Sequence, residues 1–407
     1  MEKQVEKQYT LWEKIKAMGP GILIVGSFIG PGTVTSATKA GAAYGYDLLW
    51  TVIFSVIAVV VLQGMCARLG IVTRTGLAES LVDYLKDRPM FKNVMVALVS
   101  ISIITGGVAY MGGDLTGTAI GISTITGIPS RTIAGIWGVC IMVLINIGDA
   151  IKSLETLLSI CVAIMSVVFV ATMVIVKPDI SALFLGSIPS IPPNSLMTCV
   201  ALIGTTVVPY NMFIHATSAR KTWTIEQMPI ARFDTTVSMI IGGIITGAIM
   251  ITAGAVMKGM EVKSAADMAV QLRPLLGDFS IPFLSLGLIA AGVSSAVITP
   301  LGVSYVLAGL FGWKMDKSDK RFFWTNILVL VFGIIVATTG IQPLTIIMVA
   351  QAVNGVFLPV IVFTAVYLTS RKEVMGAYTN SMLENVLGIA IFVISLVIGM
   401  SSLLELI

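Results

Sequence analysis

The sequence predicts an all-α protein that crosses a membrane many times, and three observations carry that expectation. Of its 407 residues, 56% are hydrophobic and only 11% charged, against roughly 25% charged in an ordinary soluble domain. A water-facing surface cannot be assembled from so little charge. Apolar blocks of about 20 residues, the length a helix needs to cross a bilayer, follow one another from near residue 20 almost to the end. The alternating segments of about 10 residues that mark a membrane barrel are absent.

Cutting at charges, prolines and polar loops gives eleven spans, at about 20–44, 48–70, 93–126, 131–148, 153–176, 196–219, 235–258, 281–311, 322–339, 342–369 and 382–404. Residues 1–19 form a polar tail, and the block that follows contains Gly-Pro-Gly in place of a cleavage site, so it is read as a retained span. With the N-terminus in the cytoplasm, nineteen of the 25 basic residues fall on that side and five on the other, as the positive-inside rule requires. Lys39 is the one left within a span. An odd number of spans then puts the C-terminus on the opposite face of the plasma membrane. The net charge of +4 is spread over loops and gives no reason to invoke nucleic acid. Four cysteines lie in or beside apolar blocks without a CxxC spacing and read as free thiols.

Two spans are interrupted at comparable places. The first carries Gly30-Pro31-Gly32-Thr33 and the sixth Val207-Val208-Pro209-Tyr210. Proline removes a donor and clashes with the preceding turn, so the first span should break and the sixth at least kink. The freed backbone groups are tolerable at membrane depth only if buried in protein or facing a wet cavity. Spans 1–5 (about 20–176) and 6–10 (about 196–369) each open with such a helix, the pattern of an inverted repeat with a midplane substrate site. Span eleven, 382–404, is extra. Together, 20–404 makes one transmembrane domain.

At these residues the chain resembles the Nramp family of divalent metal–proton symporters. Gly30-Pro31-Gly32-Thr33 through Trp50 is similar to that family's first span, whose motif is Asp-Pro-Gly-Asn. Gly204 through His215 is similar to its sixth, whose motif is Met-Pro-His, and Ala290-Ala291-Gly292 and Gln351 with Leu358-Pro359 resemble its eighth and tenth. The resemblance runs over essentially the whole chain and implies an eleven-helix LeuT-type fold working by alternating access. The functional positions depart from it. Gly30 stands where the family has its metal-binding aspartate, Thr33 where it has asparagine, Val208 where it has methionine and Tyr210 where it has histidine. Asp114 stands where the family has a glutamate of its proton route, and Met111 where it has an aspartate.

A transition metal is selected by ligand softness, and at the two breaks this chain offers neither a carboxylate nor a sulfur. What remains is Gly30 and Gly32, which permit close backbone approach, and the neutral donors and acceptors Thr33, Thr205, Tyr210 and Asn211 beside Val208. Gln351 and Asn354, three apart on the tenth span, share a face and are expected to address the same cavity. Helix N-termini at the breaks suit a small carboxylate-bearing or zwitterionic solute. Lys39 and Asp114, two charges well inside the spans, are functional candidates by default. Their estimated heights suggest that they face each other near the outer vestibule. His215, beyond the sixth-span break, is a second candidate for the proton route.

These readings predict a secondary transporter, with a small organic solute ahead of the alternative, proton-coupled import of a divalent cation such as hydrated Mg²⁺, or Mn²⁺. A scaffold that kept the fold without transporting is the third reading. The coupling ion is expected to be H⁺, with Na⁺ held by Ser294, Ser295 and Thr299 as the other possibility. No cofactor is implied. With one histidine, and without GxSxG, HExxH, a P-loop or a dinucleotide fingerprint, an enzyme is the least favoured class.

Overall fold

The computed structural model describes residues 8–147 and 150–404. Lys3, Lys7 and the junction of spans four and five lie outside the described residues, as does the side chain of Lys152.

Among those residues nine helices are long and apolar enough to cross a membrane, and a tenth crossing is a bent pair. That pair is the first span: Pro20–Phe28 and Pro31–Tyr44 are separate helices, meeting at 61°. Each starts with a proline at its first position, where the missing N–H costs nothing and the fixed φ favours helix entry. The sixth span is likewise interrupted, Leu196–Thr206 and Pro209–Thr222 being separated at Val207–Val208, though its halves still run as one crossing. The fourth, Ser130–Ile147, is apolar but its described stretch is shorter than a full crossing. Counting it, all eleven expected spans are present.

Two expected loops turn out to be largely helical. The second span runs on to Thr73 and is followed by a short helix, Leu77–Tyr84. Between the seventh span (Met228–Val256) and the eighth (Ser280–Phe311), short turns cover residues 265–279. Their apolar side chains Ala265, Met268, Ala269 and Leu272 are buried, which is why a stretch too short to span still folds against the bundle.

The third span, Pro89–Thr126, is the axis. It packs against the eighth, tenth, ninth and fourth spans and the second half of the first. Its glycine ladder makes this possible, and each rung serves a different neighbour. A Cβ on Gly113 would meet Ala350 of the tenth span, on Gly117 would meet Pro31, and on Gly121 would meet the Ser285 carbonyl of the eighth. Small residues let helix backbones approach, which is how spans associate where lipid removes the hydrophobic drive. The helix ends at Gly127, whose φ of 74° a glycine adopts without strain. Leucine, isoleucine and valine side chains cover the outer faces of spans three, five, nine and eleven.

Candidate functional site

The two breaks meet in the middle of the bundle. The Thr33 and Thr205 hydroxyls lie 2.9 Å apart, joining the first and sixth spans. Pro209 has no N–H to offer the carbonyl four residues earlier, that of Thr205. The Tyr110 hydroxyl of the third span donates to it instead, at 3.3 Å. The Tyr110 ring stands edge-on to Tyr210, centroids 6.0 Å apart, so the third span props the sixth where its own ladder lapses.

Gly30 caps the second half of span one in extended backbone that any residue adopts, so space explains the glycine. A Cβ there would come within 3.0 Å of the Ser295 hydroxyl, and the Asp114 Oδ1 lies 4.0 Å from the same point. The other carboxylate oxygen, Oδ2, accepts a hydrogen bond from Thr299 at 3.0 Å. Thr299 is in turn 3.2 Å from the Tyr210 hydroxyl. Asp114 is 2% exposed, so its charge is felt at low dielectric, where a cation or a proton must offset it. Gly32 leaves room for Gln351, whose amide occupies the direction a Cβ would take.

Several polar atoms on the sixth and tenth spans are buried without a hydrogen-bond partner: both amide atoms of Asn211, the Gln351 Oε1 and the Asn354 Nδ2. Unpaired buried amides are costly, about 1–3 kcal/mol each, and such groups in a packed interior point to a functional demand. Among the described residues no three His, Cys, Asp or Glu side chains gather into a metal-binding cluster. Val208 is buried and brings no donor. Thr206 bonds back to the Leu202 carbonyl at 3.1 Å, an ordinary helical arrangement.

The structure brings Gly30, Gly32, Thr33, Thr205, Tyr210, Asp114 and Gln351 together and corrects two expectations. Lys39 does not face Asp114. It lies half-buried farther along the helix, where the carboxylate acting on it is that of Glu261. Equal height was the wrong criterion: nine residues separate Gly30 from Lys39, which at 3.6 per turn puts them on roughly opposite faces. Asn354 does not join Gln351 at the break but turns to Gly106 of the third span, where its Oδ1 fills the space a side chain would need.

His215 is fully buried, its Nδ1 2.9 Å from the Gln63 Oε1 of the second span. An amide oxygen only accepts, so Nδ1–H is the donor, and in the neutral ring Nε2, without a partner, is the acceptor nitrogen. Two contributors were missed from sequence. Tyr110 lies four residues before Asp114, hence on the same helix face, and could have been found by that spacing. Gln63 is a lone amide in a long apolar run, a signal in its own right at membrane depth.

Three comparisons bear on this architecture. The family described as Natural resistance-associated macrophage protein-like (Nramp) matches residues 21–405. A divalent metal cation transporter MntH of Yersinia pestis is 27% identical over 403 residues, covering 96% of this chain and 95% of the relative. A manganese transporter of Eremococcus coleocola superposes with a TM-score of 0.79 at 18% identity, over 98% of this chain and 88% of its own. MhsT, solved with L-phenylalanine, shares the fold more distantly, with a TM-score of 0.56 at 15% identity, over 98% and 99% of the two chains.

Proposed function

This chain belongs to the Nramp family of secondary transporters, and from that premise we propose that its cargo is a hard divalent cation, Mg²⁺ ahead of Mn²⁺, carried with much of its water. The observation that carries this reading is the Asp114 carboxylate turned from the third span toward the break at Gly30. The aspartate missing from the first span is thereby offset by a carboxylate reaching the same region from a neighbour.

Mg²⁺ dehydrates reluctantly, keeps several waters and is held by one or two carboxylates. One carboxylate facing the break beside the Ser295 hydroxyl, with the paired hydroxyls of Thr33 and Thr205 joining the two interrupted spans and the Gln351 amide against Gly32, matches that demand. The site contains no thioether or thiolate to favour a softer ion. Two half-helices, Pro20–Phe28 and Leu196–Thr206, end here with their carbonyl ends, which favour positive charge. The relatives' names support a divalent cation as well, whereas a small organic solute finds no support among them. The family is one of transporters, and no enzymatic activity is assigned.

The basic loops orient the N-terminus to the cytoplasm, with import toward it. We take the coupling ion to be H⁺, with Asp114 near the first-span break and the buried His215 of the sixth span as the two candidates for the proton route. The test is uptake into proteoliposomes of Mg²⁺, Mn²⁺ and a panel of amino acids and carboxylates. Saturable Mg²⁺ uptake that Asp114→Asn reduces at least tenfold is expected. Flux of an organic solute with none of either metal overturns the reading.

A further inference from the structure

Asp114 presents two oxygens to two different surroundings, and a residue outside the breaks decides which oxygen goes where. Oδ2 is taken by the Thr299 hydroxyl at 3.0 Å, while Oδ1 is the one near Gly30. Thr299 carries a single hydroxyl hydrogen, and with Asp114 ionised that hydrogen goes to the carboxylate. The 3.2 Å contact between Thr299 and Tyr210 therefore has the phenol donating. The three groups form a directional chain from Tyr210 on the sixth span, through Thr299 on the eighth, to Asp114 on the third. Tyr210 is 1% exposed and Thr299 fully buried, so no bulk water competes for these bonds. Gly302, one turn beyond Thr299, keeps the space beside the Tyr210 ring open, since a Cβ there would lie 2.8 Å from its Cδ2.

We propose that Thr299 is the positioning residue for cation binding: it holds one oxygen of Asp114 so that the other is directed at the break in the first span, and Tyr210 fixes Thr299 in that orientation. The proposal rests on the reading of Asp114 as the cation's carboxylate. A free carboxylate rotates about its terminal bond over a broad, twofold range; tethering one oxygen removes that freedom before the ion arrives, so less ordering remains to be done on binding. Because the tether starts on the sixth span, any displacement of Tyr210 would free Thr299 and with it the carboxylate. Thr299 thus acts on the ion through Asp114.

The experiment compares Thr299→Val, which keeps the shape and removes the hydroxyl, with Thr299→Ser, which keeps the hydroxyl, and Tyr210→Phe, which removes the upstream donor. Mg²⁺ uptake by each in proteoliposomes is resolved into KM and kcat, with Asp114→Asn as reference. Loss of an orienting partner of a ligand typically costs about 10- to 100-fold in metal affinity. Thr299→Val is expected to raise KM at least tenfold with kcat within about threefold, Thr299→Ser to return KM to within about threefold of the native value, and Tyr210→Phe to fall between. A native KM in Thr299→Val, or a KM as poor in Thr299→Ser as in Thr299→Val, overturns the positioning role. If Thr299→Val does not fold, the pair Thr299→Ser and Tyr210→Phe decides: native KM in the serine variant with a raised KM in the phenylalanine variant supports the chain, and native KM in both overturns it. Undiminished Mg²⁺ uptake by Asp114→Asn overturns the site reading itself, a result distinct from any of these.

Discussion

The Asp234 carboxylate of the seventh span accepts a hydrogen bond from the Gly21 backbone N–H at 2.6 Å, and its second oxygen accepts one from Gly19 at 3.1 Å. The first half-helix of span one, which has no side-chain cap of its own, is thereby capped by another span. A helix N-terminus exposes unpaired N–H groups and partial positive charge, and a fully buried carboxylate meets both. Replacing Asp234 with Ala should lower stability by about 1 kcal/mol or somewhat more, in the range of lost N-caps. Hydrogen exchange should accelerate in residues 19–29 and remain unchanged in the third span. Uniform exchange across both would show that Asp234 does not hold this half-helix.

Gly32 and Gln351 compete for one volume. An Ala at position 32 would put its methyl where the Gln351 amide lies, and overpacking of this kind costs about 1–3 kcal/mol. Gly32→Ala should therefore reduce uptake at least tenfold. Combining it with Gln351→Ala should recover thermal stability, a coupling that a double-mutant cycle measures directly. Additive losses in melting temperature would mean the two do not share the space.

Arg68, near the C-terminal end of the second span, donates to Glu384 and Asn380, each at 2.5 Å. This ties the second span to the start of the eleventh. Arg68 is 10% exposed and Glu384 32%, so removing the carboxylate leaves a largely buried cation without a counter-charge. Glu384→Ala is expected to cost about 2 kcal/mol, less than a fully buried pair because water reaches the carboxylate. The double variant Arg68→Met with Glu384→Ala should be more stable than Glu384→Ala alone in a melting experiment. The reverse order would remove the pair from the account.

Asp319 caps the ninth span, Lys320–Ala337. Hydrogen bonds from the Arg321 side chain first, then from its backbone N–H, hold the carboxyl far below the usual range. A carboxyl lowered on folding contributes stability above its unfolded value, near 4, and loses it only as pH falls through the lowered folded one. Between pH 5 and 8 this cap does not titrate. Asp319→Asn should leave the pH profile of Mg²⁺ uptake unshifted, measured across that window. A displaced profile would locate the titrating group in this loop instead.

The site was legible from sequence where a residue type has one physical meaning at membrane depth. Pro31 and Pro209 cannot complete a helical ladder, so the two breaks were readable without coordinates, and a buried charge such as Asp114 announces itself by its cost. What failed was any inference about direction. The pairing of Lys39 with Asp114 was drawn from height alone, and the shared outlook of Gln351 and Asn354 from spacing alone. Neither contains the rotation of one helix against its neighbours.

The sequence by itself determined the class, the spans and the two interruptions, because apolar length, proline and the distribution of lysine and arginine act locally or along one axis. Tertiary structure decided that a carboxylate from the third span faces Gly30, that Thr299 holds its other oxygen, and that Asp234 caps a helix more than two hundred residues away. Those are azimuthal facts: they depend on which face each helix turns inward, and that is set by glycine contacts distributed over the whole bundle.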